Sequence, residues 1–233
     1  MLRIVGTACA LLTVLVSACA SEPSSPSLIE NAEIEVATAE SELPGGNDAP
    51  PRLELTLRAA GASRLLEQRA LAHARSSAGV AVIDAQRRLV LIAADGARRV
   101  LAEEAGAPPA QGARGELFYV AQRDLAAELR VLEPDGSERV IASGLASAGM
   151  LVPQADGSVF FVGARNGGVA GLWITRGGTA RCLTNCELTA GEPWGDRFVP
   201  PPGDAAALTV RAERVEWQGF DGKLHSVTLR SAP

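Results

Sequence analysis

The chain is poor in the residues that most often carry catalysis. Its 233 residues include two histidines, His73 and His225, and aromatics make up only 4%. No GxSxG elbow is present, which removes the nucleophile turn of an α/β-hydrolase. No P-loop and no calcium-loop pattern occurs, so no phosphate cradle or EF-hand is encoded. Two histidines do not by count alone exclude a Ser-His-Asp triad, but His225 falls in a strand-like segment and His73 in a connection. No Lys or Arg occurs between residues 20 and 51. With 47% apolar residues and few aromatics, any core is mainly aliphatic. The length suits one domain or at most two.

The first residues read as a targeting segment. Arg3 precedes the apolar run "IVGTACALLTVLV", which is short for a membrane span. "VSAC", Val16 to Cys19, follows and resembles the lipobox of bacterial lipoproteins. The resemblance implies a signal peptide over 1–18, cleavage before Cys19, and lipid on the Cys19 sulfur. Ala20 after that cysteine implies an outer-membrane lipoprotein, on the periplasmic face or the cell surface. Several acyl chains on one residue anchor a protein stably, where one binds marginally. The plainer alternative is a secretory signal in which Cys19 is incidental.

Residues 19–51 are rich in Ser, Pro and Gly and hold seven acids. This composition predicts a disordered, self-repelling tether, with the acids simply solvated. Of the 22 basic residues one is Arg3, and of the 27 acids seven lie in the tether. The domain at 52–233 therefore carries 21 bases and 20 acids, close to neutral. No basic field for nucleic acid appears at this level.

The domain repeats. Segments starting at Leu55, Leu89, Leu129, Leu172 and Val215 each show an apolar strand, a glycine turn and a second short strand. Their turn glycines, Gly61, Gly96, Gly136, Gly178 and Gly222, are spaced by 35, 40, 42 and 44 residues. Asp-Gly at Asp95, Asp135 and Asp221, and Gly177-Gly178, suit tight hairpins. Further strands precede several of them: "GVAVID" from Gly79, "GELFYVAQ" from Gly115, "GMLVPQADG" from Gly149, "GSVFFVGAR" from Gly157 and, more weakly, "ALTVRAE" from Ala207. A period of 40 to 45 with three or four strands per unit predicts blades that stack to bury both faces. The fold expected is all-β and propeller-like, with four to five small blades of three to four antiparallel strands. A β-sandwich or an irregular meander of hairpins is the alternative. Ser63 to Arg75 also fits a short amphipathic helix, although alignment with the later units favours a strand through Gln68.

"GSVFFVGARNGGVAGLWITRGGTARCLTN" resembles the repeat of TolB-type propellers, a repeat shared with the propellers of prolyl-oligopeptidase-like enzymes. The matching features are Val159 to Val162, the turn Arg165 to Gly168, Leu172 and Trp173, Gly177 and Gly178, and Leu183 and Thr184. "GELFYVAQRDLAAELRVLEPDGSERVIAS" fits more loosely. The usual "SPDG" is missing, with "QADG" from Gln154 nearest to it. TolB-type propellers commonly have six or more blades, so this ring is small, open, or closed by residues 52 to 68 pairing with the last blade. The resemblance implies protein partners, but a fold alone does not assign function.

The candidate site is the longest break in the repeat, "ELTAGEPWGDRFVPPPGDA", Glu187 to Ala205. Trp194, Asp196, Arg197 and Phe198 lie there, as a binding loop on a rigid scaffold; an aromatic packed over a blade edge is the plainer alternative. Asp156 and Asp196 are considered as pocket residues near Trp194, with turn or surface roles as the alternative. Cys182 and Cys186 precede this break. Two thiols fall short of the four ligands of a structural zinc site. C-x-x-x-C at a hairpin end is also not a thioredoxin motif. A structural disulfide remains, pinning the last strand of one blade to the loop after it. No catalytic residue, metal or cofactor is assigned. The function expected is a non-catalytic binding or scaffolding module, anchored to the membrane through Cys19, with an envelope protein or cell-wall component as partner. The alternatives are a small glycan-active or lactonase-like propeller enzyme and a purely structural envelope protein.

Overall fold

A computed structural model of the chain describes residues 33–39, 52–59 and 62–229. Residues 1–18, Cys19 and the rest of the 19–51 segment beyond Glu33–Ala39 lie outside the described residues.

Among the described residues eighteen strands form five antiparallel meanders, with neighbours in sequence also neighbours in each sheet. Sheet one holds β1 (Glu33–Ala39), β2 (Arg52–Ala59) and β3 (Ala62–Ala70). Sheet two holds β4 (Ala72–Ser76), β5 (Gly79–Ile83), β6 (Leu89–Ile92) and β7 (Arg98–Ala102). Sheet three holds β8 (Ala110–Gln111), β9 (Leu117–Arg123), β10 (Ala126–Leu132) and β11 (Glu138–Leu145). Sheet four holds β12 (Ser147–Pro153), β13 (Val159–Ala164), β14 (Gly171–Arg176) and β15 (Thr179–Cys182). Sheet five holds β16 (Leu208–Arg211), β17 (Arg214–Gln218) and β18 (Leu224–Thr228). This is the all-β, propeller-like arrangement of five small blades with three or four strands each.

Stacking explains why the middle strands are apolar throughout instead of alternating. On β5, Val80 and Val82 pack towards sheet one with Leu55 and Leu66, while Ala81 and Ile83 pack towards sheet three with Leu117 and Tyr119. On β9, Phe118 and Val120 turn the other way and meet Val159, Phe161 and Trp173 of sheet four. Phe160, Leu172 and Ile174 then meet Val215 and Trp217 of sheet five. A strand covered on both faces reads as a continuous apolar run. Four buried clusters thus join five sheets in a row, and among the described residues none joins the first to the fifth. The outer face of β17 shows why: Val215 and Trp217 point inward, while Arg214 and Gln218 are exposed. Glu54 and Arg58 play the same part on β2. A polar outer face is how a terminal repeat stays soluble.

The hairpins refine the turn chemistry. Gly177 and Gly178 both have positive φ, +58° and +80°, and Arg176 pairs directly with Thr179. This is the two-residue loop that needs left-handed backbone at both positions. The Asp-Gly turns are longer. Asp135 Oδ1 accepts from Ser137 N–H at 2.9 Å, and Gly136, at φ +83°, donates to Glu133 O at 2.9 Å. Only the glycine is left-handed there, so the aspartate contributes its side-chain acceptor and not a positive φ.

Three expectations change. Glu33–Ala39, placed by composition in the 19–51 tether, pairs along its length with β2, from Glu33 with Arg58 to Ala39 with Arg52. Its "EIEVATA" alternates and is rich in β-branched residues, which suits an edge strand. The strands within residues 52 to 68 pair with β1 and with each other, not with the last blade. His73 lies on β4, paired with Val82, and not in a connection. Ser63 to Arg75 takes the strand option, as β3 and β4.

Candidate functional site

The long connection between β15 and β16 is bonded into the fold at four places. At its start, Val169 N–H donates to Leu188 O and Ala190 N–H donates to Gly167 O, which ties it to the β13–β14 turn. In its middle, Asn185 holds it: the side-chain NH2 donates to Ala170 O and Val199 O, both 2.8 Å, and the side-chain oxygen accepts from Val199 N–H at 2.9 Å. Further on, Trp217 Nε1–H donates to Pro200 O at 2.8 Å. Finally Pro202 forms a bridge with Gly219 in the β17–β18 turn. Val199 and Leu183 pack against the cluster between sheets four and five, so the loop covers one end of that interface.

Cys182 and Cys186 are joined as a disulfide, with Cα atoms 5.7 Å apart. The bridge brackets Asn185, which is buried and has φ +61°. Asparagine is one of the few L-residues that tolerate this backbone region. Thr184 beside it accepts from Leu172 N–H through its hydroxyl at 3.0 Å. Gly171 on β14 could not carry a side chain, because a Cβ there would lie 2.0 Å from Thr184 O. The disulfide, Asn185 and Gly171 together fix where the loop leaves the sheet.

The loop presents aromatics. Trp194 is half-buried, and its Nε1–H donates to Thr189 O at 2.7 Å. Its ring lies 5.1 Å from that of Phe198, and Phe198 lies 6.1 Å from Phe220. Phe220, on the β17–β18 turn, is 66% exposed. Tilted ring pairs at these separations are favourable beyond their buried area. Asp196 and Arg197 occupy a single 3-10 turn, Gly195–Arg197, with exposed side chains; Arg197 donates to Trp194 O and Pro193 O at 3.4 Å. The structure thus brings Trp194 and Phe198 together, adds Phe220, and leaves Asp196 and Arg197 on the rim. Phe220 was not anticipated, although its position carried a signal: the same place before the Asp-Gly pair holds Ala94 and Pro134 in two other units. Asn185 also escaped notice, since an Asn in a polar loop has no distinctive pattern.

The remaining polar groups have structural partners. Asp156 sits in the β12–β13 turn, at the opposite end of β13 from the loop, and accepts from the Ser158 N–H and hydroxyl. His225 lies on sheet five, 3.0 Å from Asp221, and His73 lies on sheet two, where burial first and then Arg75 hold its pKa below the ordinary value. Buried Asp84 accepts from Gln86 N–H and Arg88 N–H and pairs with the Arg88 guanidinium. Buried Glu116 is likewise engaged by Arg114. Tyr119 donates to Glu138 on β11 of its own sheet at 2.5 Å, and Arg99 of sheet two also binds Glu138; burial first, then Glu138, push the phenol above its ordinary pKa. These groups clamp turns and neighbouring sheets. Among the described residues no three His, Cys, Asp or Glu side chains come together to hold a metal ion. Clefts among the described residues include one of about 250 Å³ between β11 and β15 over Trp173 and Arg165, and one of about 330 Å³ between sheets four and five near Arg176 and Arg211.

No protein-family model matches this chain, and no curated protein matches it. Solved structures do. TolB from Acinetobacter baumannii is 12% identical with a TM-score of 0.43, over 76% of this chain and 48% of that one. A puromycin-hydrolysing peptidase of Mycobacterium tuberculosis is 18% identical with a TM-score of 0.45, over 78% of this chain and 35% of that one. A protein assigned as a gluconolactonase is 17% identical with a TM-score of 0.41, over 69% of this chain and 59% of that one. In each case this chain spans less than two thirds of the protein it resembles.

Proposed function

We propose that the chain is a lipid-anchored envelope module that binds a partner, an envelope protein or a cell-wall component, through the Trp194–Phe198–Phe220 surface. One observation carries the reading: Trp194 and Phe198, on a loop held by a disulfide and a buried asparagine, meet the 66% exposed Phe220 of the β17–β18 turn in a row of three aromatic rings. Contiguous exposed apolar patches mark interaction sites, and aromatic anchors on rigid supports dominate interface energetics. The lipobox-like "VSAC" supports anchoring through Cys19 at the outer membrane, with residues 20–32 as the leading part of the tether.

The reading is tested in native envelopes. A photo-crosslinking residue at Phe220 captures a discrete partner, whereas the same residue at exposed Leu125, on the β9–β10 turn of sheet three, does not. Equal capture at both places, or none at Phe220, removes the reading. Separately, Cys19→Ser abolishes acyl labelling; persistent labelling removes the anchor.

A further inference from the structure

Resting on that binding reading, we infer that the aromatic end takes a cationic protein segment, one with an apolar anchor flanked by Lys or Arg. The loop 187–207 and the turn 219–223 together carry five acids, Glu187, Glu192, Asp196, Asp204 and Asp221, against Arg197 and Lys223. All seven residues are exposed, with the Asp221 side chain partly covered by His225. The rest of the domain carries a slight basic excess, so this end is acidic against its surroundings.

Four of the acids lie beside the ring-bearing residues. Glu192 follows the turn whose Thr189 O receives the Trp194 indole. Asp196 stands between Trp194 and Phe198 in the 3-10 turn. Asp204 follows Gly203, where a Cβ would lie 3.7 Å from Phe220 Cα. Asp221 follows Phe220 directly and is bonded to His225, the one further titratable group facing this turn from β18. On the adjoining β13–β14 turn, Arg165 is held over the Trp173 ring at 5.2 Å.

An apolar centre with a single-sign rim selects a partner of the opposite sign and repels its own. A second copy docking the same patch would face acids with acids. An acidic or neutral occupant would gain nothing from the rim.

The test uses the full-length lipidated chain in neutral detergent and two labelled synthetic peptides. Both carry one Leu-Phe-Leu anchor, flanked by lysines in one and by glutamates in the other, and fluorescence anisotropy reads their binding. The lysine peptide should bind at least about tenfold tighter, with the preference shrinking as salt rises. The triple variant Glu192→Gln, Asp196→Asn, Asp204→Asn should bring the two peptides close to parity. Asp204 accepts from Ala206 N–H at 2.7 Å, and the amide oxygen introduced by Asp204→Asn can accept the same bond, so the local turn survives. Phe220→Ala should weaken both peptides alike. Any of the following overturns the inference: equal affinities, preference for glutamate, a preference that survives the triple variant, no binding of either peptide near 1 mM, tighter binding of soluble muropeptides, or dimerisation lost in Phe220→Ala. Crosslinking at Phe220 that succeeds while the lysine preference fails leaves the binding reading standing and removes only the charge assignment.

Discussion

Sheets two to four and the stretch after Cys182 are built on different rules. In the former, the middle strands are covered on both faces, and buried Leu89, Leu117, Leu129 and Val159 hold neighbours together over a continuous apolar area, with the Arg99–Glu138 pair as a polar tie between sheets two and three. In the latter, one sheet has a single apolar face, and its attachment runs through named polar contacts: Asn185 with Val199, Trp217 with Pro200, Pro202 with Gly219. Repetition stabilises by area, whereas the interruption is stabilised by a few specific bonds. The second region is therefore the one that single substitutions can release without unfolding the rest.

Trp217→Ala tests this contrast with the largest effect. Trp217 is fully buried between sheets four and five and anchors Pro200. Truncating a buried aromatic costs about 3–5 kcal/mol. Phe161→Ala, in the equally buried cluster between sheets three and four, should cost a similar amount. The extent separates them. Hydrogen exchange should show Trp217→Ala opening sheet five and the loop while β5, β6 and β9 keep their protection; Phe161→Ala should lower protection on both sides of its interface. Uniform loss in both variants breaks the contrast.

The clasp comes next. Asn185→Ala removes the partner of Val199 N–H and of two half-buried carbonyls and strains a residue at φ +61°, for about 2–3 kcal/mol in all. Asn185→Gly relieves the backbone but not the bonds, and should recover about 1 kcal/mol of that loss. Opening the disulfide, by Cys182→Ser with Cys186→Ser, removes a five-residue closure worth about 2 kcal/mol. Because the bridge brackets Asn185, the two losses should be less than additive in denaturant melts. Full additivity would mean that the disulfide and the asparagine hold the loop independently.

The same contrast decides what could be read in the sequence. The blades were legible because Leu, Val and Phe runs recur with glycine turns at a near-constant period, and Gly96, Gly136, Gly178 and Gly222 all fall in hairpins. The strands β4 and β8 were not, since "AHARS" and "AQ" are short and carry no large apolar side chain. The strand β1 was hidden by its acidic, Pro-rich surroundings. Cys182 and Cys186 were legible as a pair by elimination. Asn185 was not, because its role depends on Ala170 and Val199 being brought to it by tertiary structure. Trp194 and Phe198 stood out as aromatics in a Pro- and Gly-rich break; Phe220 was disguised by the very regularity of the turn that carries it.

The smallest test compares one turn in each region. Asp135 and Asp221 occupy equivalent Asp-Gly turns, and both carboxyls sit below the usual carboxylate range. The causes differ. Asp135 is held down first by the Ser137 hydroxyl and then by Ser137 N–H, a bond within the turn. Asp221 is held down first by His225, a contact with the neighbouring strand, in the tautomer that donates from Nε2. A depressed acid stabilises the fold above its unfolded pKa and loses that contribution as pH falls through the folded value. Both turns should therefore loosen only in acid, and by little, because both side chains are solvated. His225→Phe keeps a ring against Trp217 and removes the donor, so a carboxyl-carbon NMR titration should find Asp221 shifted upward and Asp135 unmoved. Ser137→Ala should do the reverse. If Asp221 stays depressed without the imidazole, the last blade's turn is self-contained like those of the repeat, and the dependence of this region on its neighbours does not extend to the hairpin that carries Phe220.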